Sequence, residues 1–262
     1  MWVAAHLTGG LGNRLFQHAA AAGLAEKWNR DLVFFLPRCG PTNHGPFDTI
    51  FRLFPQVPVL ESATEWTSLT EERDKLFRYC PFPEVAPAAN CVIQGYRQTE
   101  KYFPSGGIRL AFENVIDVAS LKMEEPEKQW FVHVRLGDYK ILPHHQEELS
   151  GYYLQCMREI PQGHTVTLYS DEPELCEGGF REAARVFGLT LKVSTEKDEL
   201  VSLYMMSQCR GGTIAANSTF SWWASYLAHQ GGCRRSFFPS NWGQGLPPPV
   251  DLLPRWAEVV PL

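Results

Sequence analysis

Apolar and polar positions along the chain change period several times, and each change marks an element. Residues 2–7 form a short apolar run of strand type, followed by a glycine-rich turn and a helical run over 15–28. Another apolar run follows at 32–36. Residues 37–58 are proline-rich and irregular, and helical patterning stays poor over 61–89, where prolines cluster at 81, 83 and 87. Residues 92–95 read as a strand and 96–103 as an aromatic, polar loop. Beyond 127 the alternation becomes regular. Strands at 130–135, 165–169, 191–193, 212–215 and 236–238 interleave with helices at 152–160, 180–187, 199–206 and 220–229. Strands alternating with helices predict a parallel sheet with helices on both faces. The expected fold class is α/β, with an N-terminal lobe over 1–115 and a C-terminal lobe over 116–262. The proline-rich tail from Pro247 is expected to pack back on the surface.

Three polar segments interrupt this pattern where strands end or helices begin. Asn217-Ser218-Thr219-Phe220-Ser221 precedes Trp222-Trp223 and an apolar run. Small hydrogen-bonding residues there suit a helix N-terminus, whose unpaired amides and dipole favour an anion; an ordinary N-cap has the same composition. Thr8-Gly9-Gly10-Leu11-Gly12-Asn13-Arg14 links the first strand to the first helix, so backbone amides could approach a phosphate or sugar. Its spacing is neither a dinucleotide fingerprint nor a P-loop, and a plain tight turn remains an alternative. The alternating run Trp130 to Arg135 leads into Leu136-Gly137-Asp138-Tyr139, with His133 and Arg135 on one face at the strand's C-terminal end. Ligands of open α/β sheets bind at that end. Arg135 could serve as a phosphate fork or simply pair with Asp138.

Together the segments Gly9-Gly10-Leu11-Gly12-Asn13-Arg14-Leu15-Phe16-Gln17, His133-Val134-Arg135-Leu136-Gly137-Asp138-Tyr139 and Asn217-Ser218-Thr219-Phe220-Ser221-Trp222-Trp223 resemble, in order, the motifs of the α-1,2-fucosyltransferase family. Further similarity lies in Tyr169-Ser170-Asp171-Glu172, in Met206-Ser207-Gln208-Cys209, and in Pro239 followed by Trp242. Two departures stand out: Leu136 replaces the family's second arginine, and Arg14 replaces a glutamine. The resemblance implies a GT-B-like fold, two Rossmann-like lobes facing across a cleft, with the N-terminal lobe on the acceptor side and the C-terminal lobe binding the GDP-sugar. It implies inverting transfer of L-fucose from GDP-β-L-fucose to a glycan hydroxyl, α-1,2 to galactose or a similar sugar.

By the same resemblance His133 and Asp171 contact guanine, and Arg135 forks onto the β-phosphate. Asn217, Ser218, Thr219 and Phe220 close around that phosphate, while Gly10, Gly12, Asn13 and Arg14 approach the pyrophosphate and fucose. An inverting displacement asks for a base. Asp138, Glu147 and His145, which lies seven residues before Tyr152-Tyr153, are the candidates, and 144–148 reads equally well as a solvated loop.

Composition narrows the alternatives. Hydrophobic residues make up 44% and aromatics 13%, within the globular range, and a net charge of -5 gives no nucleic-acid surface. Seven cysteines without a Cys-x-x-Cys pair point away from zinc and from a disulfide framework, and towards a reducing compartment. The chain is read as going directly into its first strand with no basic n-region, and no apolar run is long enough to span a bilayer. The expectation is a soluble, cytoplasmic enzyme, or a catalytic fragment of something longer. Developing negative charge on a diphosphate leaving group needs an electrophilic partner. No Asp-x-Asp pair is present to hold a metal, so Arg135 and the amides near Ser218 and Thr219 are expected to serve, without cofactor or metal. A glycosyltransferase with another nucleotide sugar, a dinucleotide oxidoreductase and a carbohydrate-binding protein without turnover stay open as other readings.

Overall fold

A computed structural model of the chain describes residues 1–40, 48–145 and 147–262, apart from the Arg73 side chain. Residues 41–47 of the expected irregular stretch, and Gln146 of the expected solvated loop, lie outside them. The chain divides into two compact units, Met1–Val115 with Pro249–Pro254, and Ile116–Pro248 with Arg255–Leu262.

The first unit contains β1 (Trp2–Ala5), α1 (Leu11–Trp28), β2 (Asp31–Leu32), β3 (Phe34–Phe35), α2 (Thr49–Leu53), β4 (Val59–Leu60), β5 (Trp66–Thr70) and β6 (Asn90–Gln94). Its main sheet is parallel, in the order β2-β1-β6-β5, and β3 pairs with β4 in a separate parallel ribbon. The apolar run at 32–36 is therefore two short strands in different sheets. Val33, Phe35, Ala4 and Val92 form a core against which Trp2, Leu60 and Trp66 pack. Helix α1 starts at Leu11, four residues before the apolar pattern begins, because Gly10 takes the extended N-cap conformation and Gly12, Asn13 and Arg14 wind into the first turn.

The second unit contains β7 (Gln129–Val134), α3 (Ser150–Arg158), β8 (Thr165–Ser170), α4 (Glu177–Phe187), β9 (Thr190–Val193), α5 (Glu199–Ser207), β10 (Gly212–Ile214), α6 (Thr219–Gln230), β11 (Ser236–Pro239) and β12 (Glu258–Val260). All six strands are parallel, in the order β12-β11-β10-β7-β8-β9. This is the doubly wound dinucleotide-fold order, and its direction reverses between β7 and β10. Both faces are covered, so β7 is buried along almost its whole length, as a central parallel strand must be. Trp130, Val132, Val134, Tyr152, Met157, Val166, Leu168 and Ile214 build the core beneath the sheet's reversal.

Local chemistry fixes the helix ends. The Asp198 carboxylate accepts from the Leu200 and Val201 amides at the start of α5, and Gly188 takes a left-handed conformation to end α4. All seven cysteines are free, five of them buried. Burial pushes the Cys39 and Cys156 thiols up to about 12 and that of Cys91 to about 11.

Gly212 leaves room for the buried Trp130 ring, since a Cβ there would lie 2.1 Å from its Cζ3. Gly212→Ala should therefore destabilise the second unit by about 1–3 kcal/mol through overpacking. A urea melt checks this, and an unchanged midpoint would show that the ring can yield.

Candidate active site

The register of the second sheet decides which side chains emerge together. Strand β7 pairs with β8 so that Val134 faces Ser170, and one residue further on Arg135 and Asp171 leave the sheet side by side. On the other flank Val132 faces Ile214 of β10, which brings the loop after β10, Asn217 included, up beside Arg135. The loops after β7 and β10 are those that part at the reversal of strand order, where open α/β sheets bind ligands.

Arg135 is held by two carboxylates. Its Nε and Nη2 both donate to Asp138 Oδ1, at 3.0 and 2.7 Å, and its Nη1 lies 3.0 Å from Asp171 Oδ2. The other oxygen of Asp171 accepts the Leu136 amide at 2.9 Å. Gly137 makes this approach possible, because a Cβ there would sit 2.5 Å from Asp171 Oδ2. The Leu136 side chain packs against the core, so at that position the backbone N–H serves Asp171 and the side chain adds no charge.

The other side of the site is built by α6 and the loops around it. Ser218 caps α6, its hydroxyl accepting the Phe220 amide, a contact worth about 1 kcal/mol. Asn217 is buried, and its Nδ2 donates to the carbonyls of His145 (3.3 Å) and Trp242 (3.2 Å). The Tyr139 hydroxyl donates to the Asn217 carbonyl at 3.1 Å, while its ring stacks on His145 at 4.4 Å and carries the Arg135 guanidinium 5.9 Å from its centroid. Burial pushes the Tyr139 phenol up to about 12, so it remains a donor at neutral pH. Beneath these loops α3 supplies two tyrosine hydroxyls. Tyr152 donates to the Ala215 carbonyl (2.8 Å), with that of Phe237 also within reach, and Tyr153 to the His133 carbonyl (3.0 Å).

Two imidazoles face this site with a buried Nδ1 that has no hydrogen-bond partner among the described residues. His133, 6% exposed, lies 5.6 Å from the Phe220 ring. Burial, with the Arg135 charge adding to it, brings its pKa down to about 4. Burial, followed by the His144 charge, does the same for His145, also to about 4. Both rings are neutral at pH 7, and an imidazole of that pKa is a weak base.

Of the expected site residues, the second unit thus gathers His133, Arg135, Asp138, His145, Asp171, Asn217, Ser218, Thr219 and Phe220 around one point. Gly10, Gly12, Asn13 and Arg14 belong to the first unit. There Gly10 caps α1, and Asn13 Oδ1 accepts from Gln98 Nε2 at 2.8 Å, so the loop after β6 steadies the glycine loop after β1. Arg14, expected to face a pyrophosphate, is fully buried. Tyr139, Gln98 and Trp242 carried no role in the sequence. Tyr139 and Trp242 lie within or beside the recurring segments, but their role is a contact across distant loops that spacing cannot show. Among the described residues no group of three or more His, Cys, Asp or Glu side chains is arranged to hold a metal ion.

Comparison with known proteins gives this geometry a lineage. Residues 67–241, more than half of the chain, match the model of glycosyl transferase family 11. The chain belongs to glycosyl transferase family 11. Among family relatives, the α-1,2-colitosyltransferase of Escherichia coli is 25% identical over 86% of this chain and 87% of its own length. The O-antigen biosynthesis glycosyltransferase WbnK, also of Escherichia coli, is 31% identical over 37% of this chain, a match spanning only 33% of that protein. Among solved structures, NodZ α-1,6-fucosyltransferase crystallised with GDP superposes with a TM-score of 0.52 at 16% identity, over 86% of this chain and 92% of its own. The apo form of POFUT1 superposes at 0.50 with 12% identity, over 90% and 96%. At such identities the likeness is one of fold, and it bears out the α/β, GT-B class expected from the sequence. The family match bears out an enzyme of the glycosyltransferase kind, as the motifs implied. Among its described residues no helix is long and apolar enough to cross a membrane.

Two outcomes follow from the buried groups. Between pH 6.5 and about 4 the unfolded chain takes up protons that His133 and His145 refuse in the fold. Stability present above pH 6.5 is therefore lost as the pH falls towards 4, with His18 (down to about 3) acting in the same direction. Urea midpoints at pH 7 and pH 4.5 test the slope, and His133→Gln should flatten it; an equal slope in the variant would refute the assignment. Asn217→Ala removes the donor from two carbonyls and should cost about 1–3 kcal/mol, with faster amide exchange around 142–145 as its local signature.

Proposed function

We propose that this family 11 enzyme transfers L-fucose from GDP-β-L-fucose, with inversion, to a hydroxyl of a glycan acceptor, in α-1,2 linkage to galactose or a similar sugar. The observation that carries this reading is the position of Arg135. Arg135 leaves β7 at the reversal of strand order, held by Asp138 and Asp171, and the loop after β10 that leads into the capped N-terminus of α6 emerges on the same sheet edge.

The chemistry follows from charge. Breaking the sugar–phosphate bond leaves an extra negative charge on the diphosphate and an oxocarbenium-like sugar. In this reading Arg135 takes the β-phosphate, aided by the positive end of α6 at Ser218, Thr219 and Phe220. Each charge-assisted contact contributes about 1.5–3 kcal/mol, and a partly buried helix N-terminus up to about 2 kcal/mol. Such terms together can serve the leaving group without a metal. The buried, unpartnered Nδ1 of His133 and its neighbour Asp171 are assigned to guanine, whose N1–H and N2 amine suit a carboxylate. With the leaving group so assisted, the demand on a base is slight, and the weakly basic His145 or the Asp138 carboxylate suffices to take the acceptor proton. The C-terminal lobe over 116–262 is the donor-binding part in this reading.

The likeness to a colitosyltransferase over most of the chain favours one second reading, in which the donor is a GDP-linked sugar other than fucose.

Isothermal titration with GDP, UDP, NAD, GDP-fucose and GDP-colitose, all in EDTA, separates these. A GDP-selective response that survives EDTA is expected, and Arg135→Ala should weaken it by about ten- to a hundredfold. Preference for UDP or NAD, or no nucleotide response at all, would sink the proposal.

A further inference from the structure

The two carboxylates on Arg135 are held differently, and the difference has a functional reading. Asp171 is fixed from several sides. One oxygen accepts the Leu136 amide, the other pairs with Arg135 Nη1, and the missing Cβ of Gly137 leaves that second oxygen just enough room. The Asp171 backbone follows directly on the last pair of β7 with β8, Val134 with Ser170, which sets its place at the sheet edge. Asp138 has only Arg135. A single oxygen, Oδ1, takes both hydrogens of the Nε/Nη2 edge, and its carboxylate has no other hydrogen-bond partner among the described residues. It stands at the start of a short turn, Asp138–Lys140, with its side chain 30% exposed, so one rotation about its side-chain bonds carries it to solvent.

One oxygen bridging two N–H groups is also a poorer match than the two-oxygen fork by which a carboxylate or phosphate best meets a guanidinium. A phosphate that presents two oxygens to the same edge, and gains from the α6 N-terminus as well, can therefore replace Asp138 but has no geometric means of replacing Asp171.

We propose that Asp138 is an internal competitor for the phosphate edge of Arg135. It occupies the Nε/Nη2 edge that a diphosphate requires and yields it on binding, while Asp171 keeps Nη1 throughout. The inference rests on reading this site as one for a nucleoside diphosphate. Its consequence is a raised threshold, since every anion that needs this edge is weakened by the same factor. A small anion that contacts Arg135 alone must displace a carboxylate already in place and falls below useful affinity, whereas a nucleoside diphosphate with further contacts meets the same cost and still binds.

The test compares Asp138→Asn with Asp171→Asn in the full chain by titration with GDP and, separately, with inorganic pyrophosphate. Loss of any nearby negative charge favours an anion at both positions alike, so the sign of the difference carries the information. Asp138→Asn should bind GDP and pyrophosphate each about fivefold tighter than the unaltered chain does, while Asp171→Asn should bind GDP about tenfold more weakly. If Asp138→Asn binds GDP no better or worse, Asp138 is a brace and the proposal falls. It falls equally if both variants gain alike, since that is general electrostatics. Thermal unfolding of each variant verifies the fold, and Asp138→Ser replaces the asparagine variant should that one fail to fold. Absence of GDP binding by the unaltered chain is a different result, which removes the nucleotide reading itself.

Discussion

Parallel strands cannot be joined by a tight turn. Each must be left at one end and the next entered at the other, so all the loops that follow the strands come out along a single edge. In the second unit that constraint gathers the ends of β7, β8 and β10 on one edge, and the reversal of strand order between β7 and β10 parts two of their loops. Nearly everything chemical about the unit follows. Residues 36 and 82 positions apart in sequence stand beside one another because the register carries Val134 to Ser170 and Val132 to Ile214. The tyrosine pair of α3 then locks the carbonyls at those strand ends, so the edge is rigid below and open to solvent chemistry above.

Onto this edge the fold places one guanidinium and surrounds it with groups of two kinds. Some are held by several bonds, such as Asp171, Asn217 with the Tyr139–His145 stack, and the capped start of α6, and they set position. Asp138 lies on a short turn after β7 with its carboxylate bonded to Arg135. With both imidazoles neutral and the Leu136 side chain turned into the core, Arg135 is the cation at the end of β7, and Lys140 on the following turn is paired with Glu172. A site with one guanidinium depends more on backbone donors than a site with two. The helix N-terminus next to Ser218 is consistent with that balance.

The regular alternation after residue 127 made the second unit readable, because long buried strands and amphipathic helices each leave a strong period. What escaped is what period cannot encode. Strand β5 is half exposed at a sheet edge and carries only Trp66 and Leu69 as bulky apolar residues, so nothing in 61–89 announces it. Strand β12 and helix α2 have three and five residues, too short to show any period, and exist because a neighbour pairs or packs with them. The early start of α1 runs against the low helix propensity of Gly12 and is set by its surroundings. In the site, motif order gave the residues but not their connections. The link from Arg135 to Asp171 depends on strand register, and the link from Tyr139 through Asn217 to Trp242 on loops that meet only in the folded chain.

The free thiols have a use unrelated to catalysis. A buried thiol held well above its ordinary pKa is almost never thiolate, and only thiolate is alkylated at an appreciable rate. Cys39 and Cys91 lie in the first unit, and Cys156, Cys209 and Cys233 in the second, all five buried. Each unit therefore carries its own silent reporters. The order in which these sulfurs become labelled during partial denaturation would record, without any added probe, which half of the chain opens first.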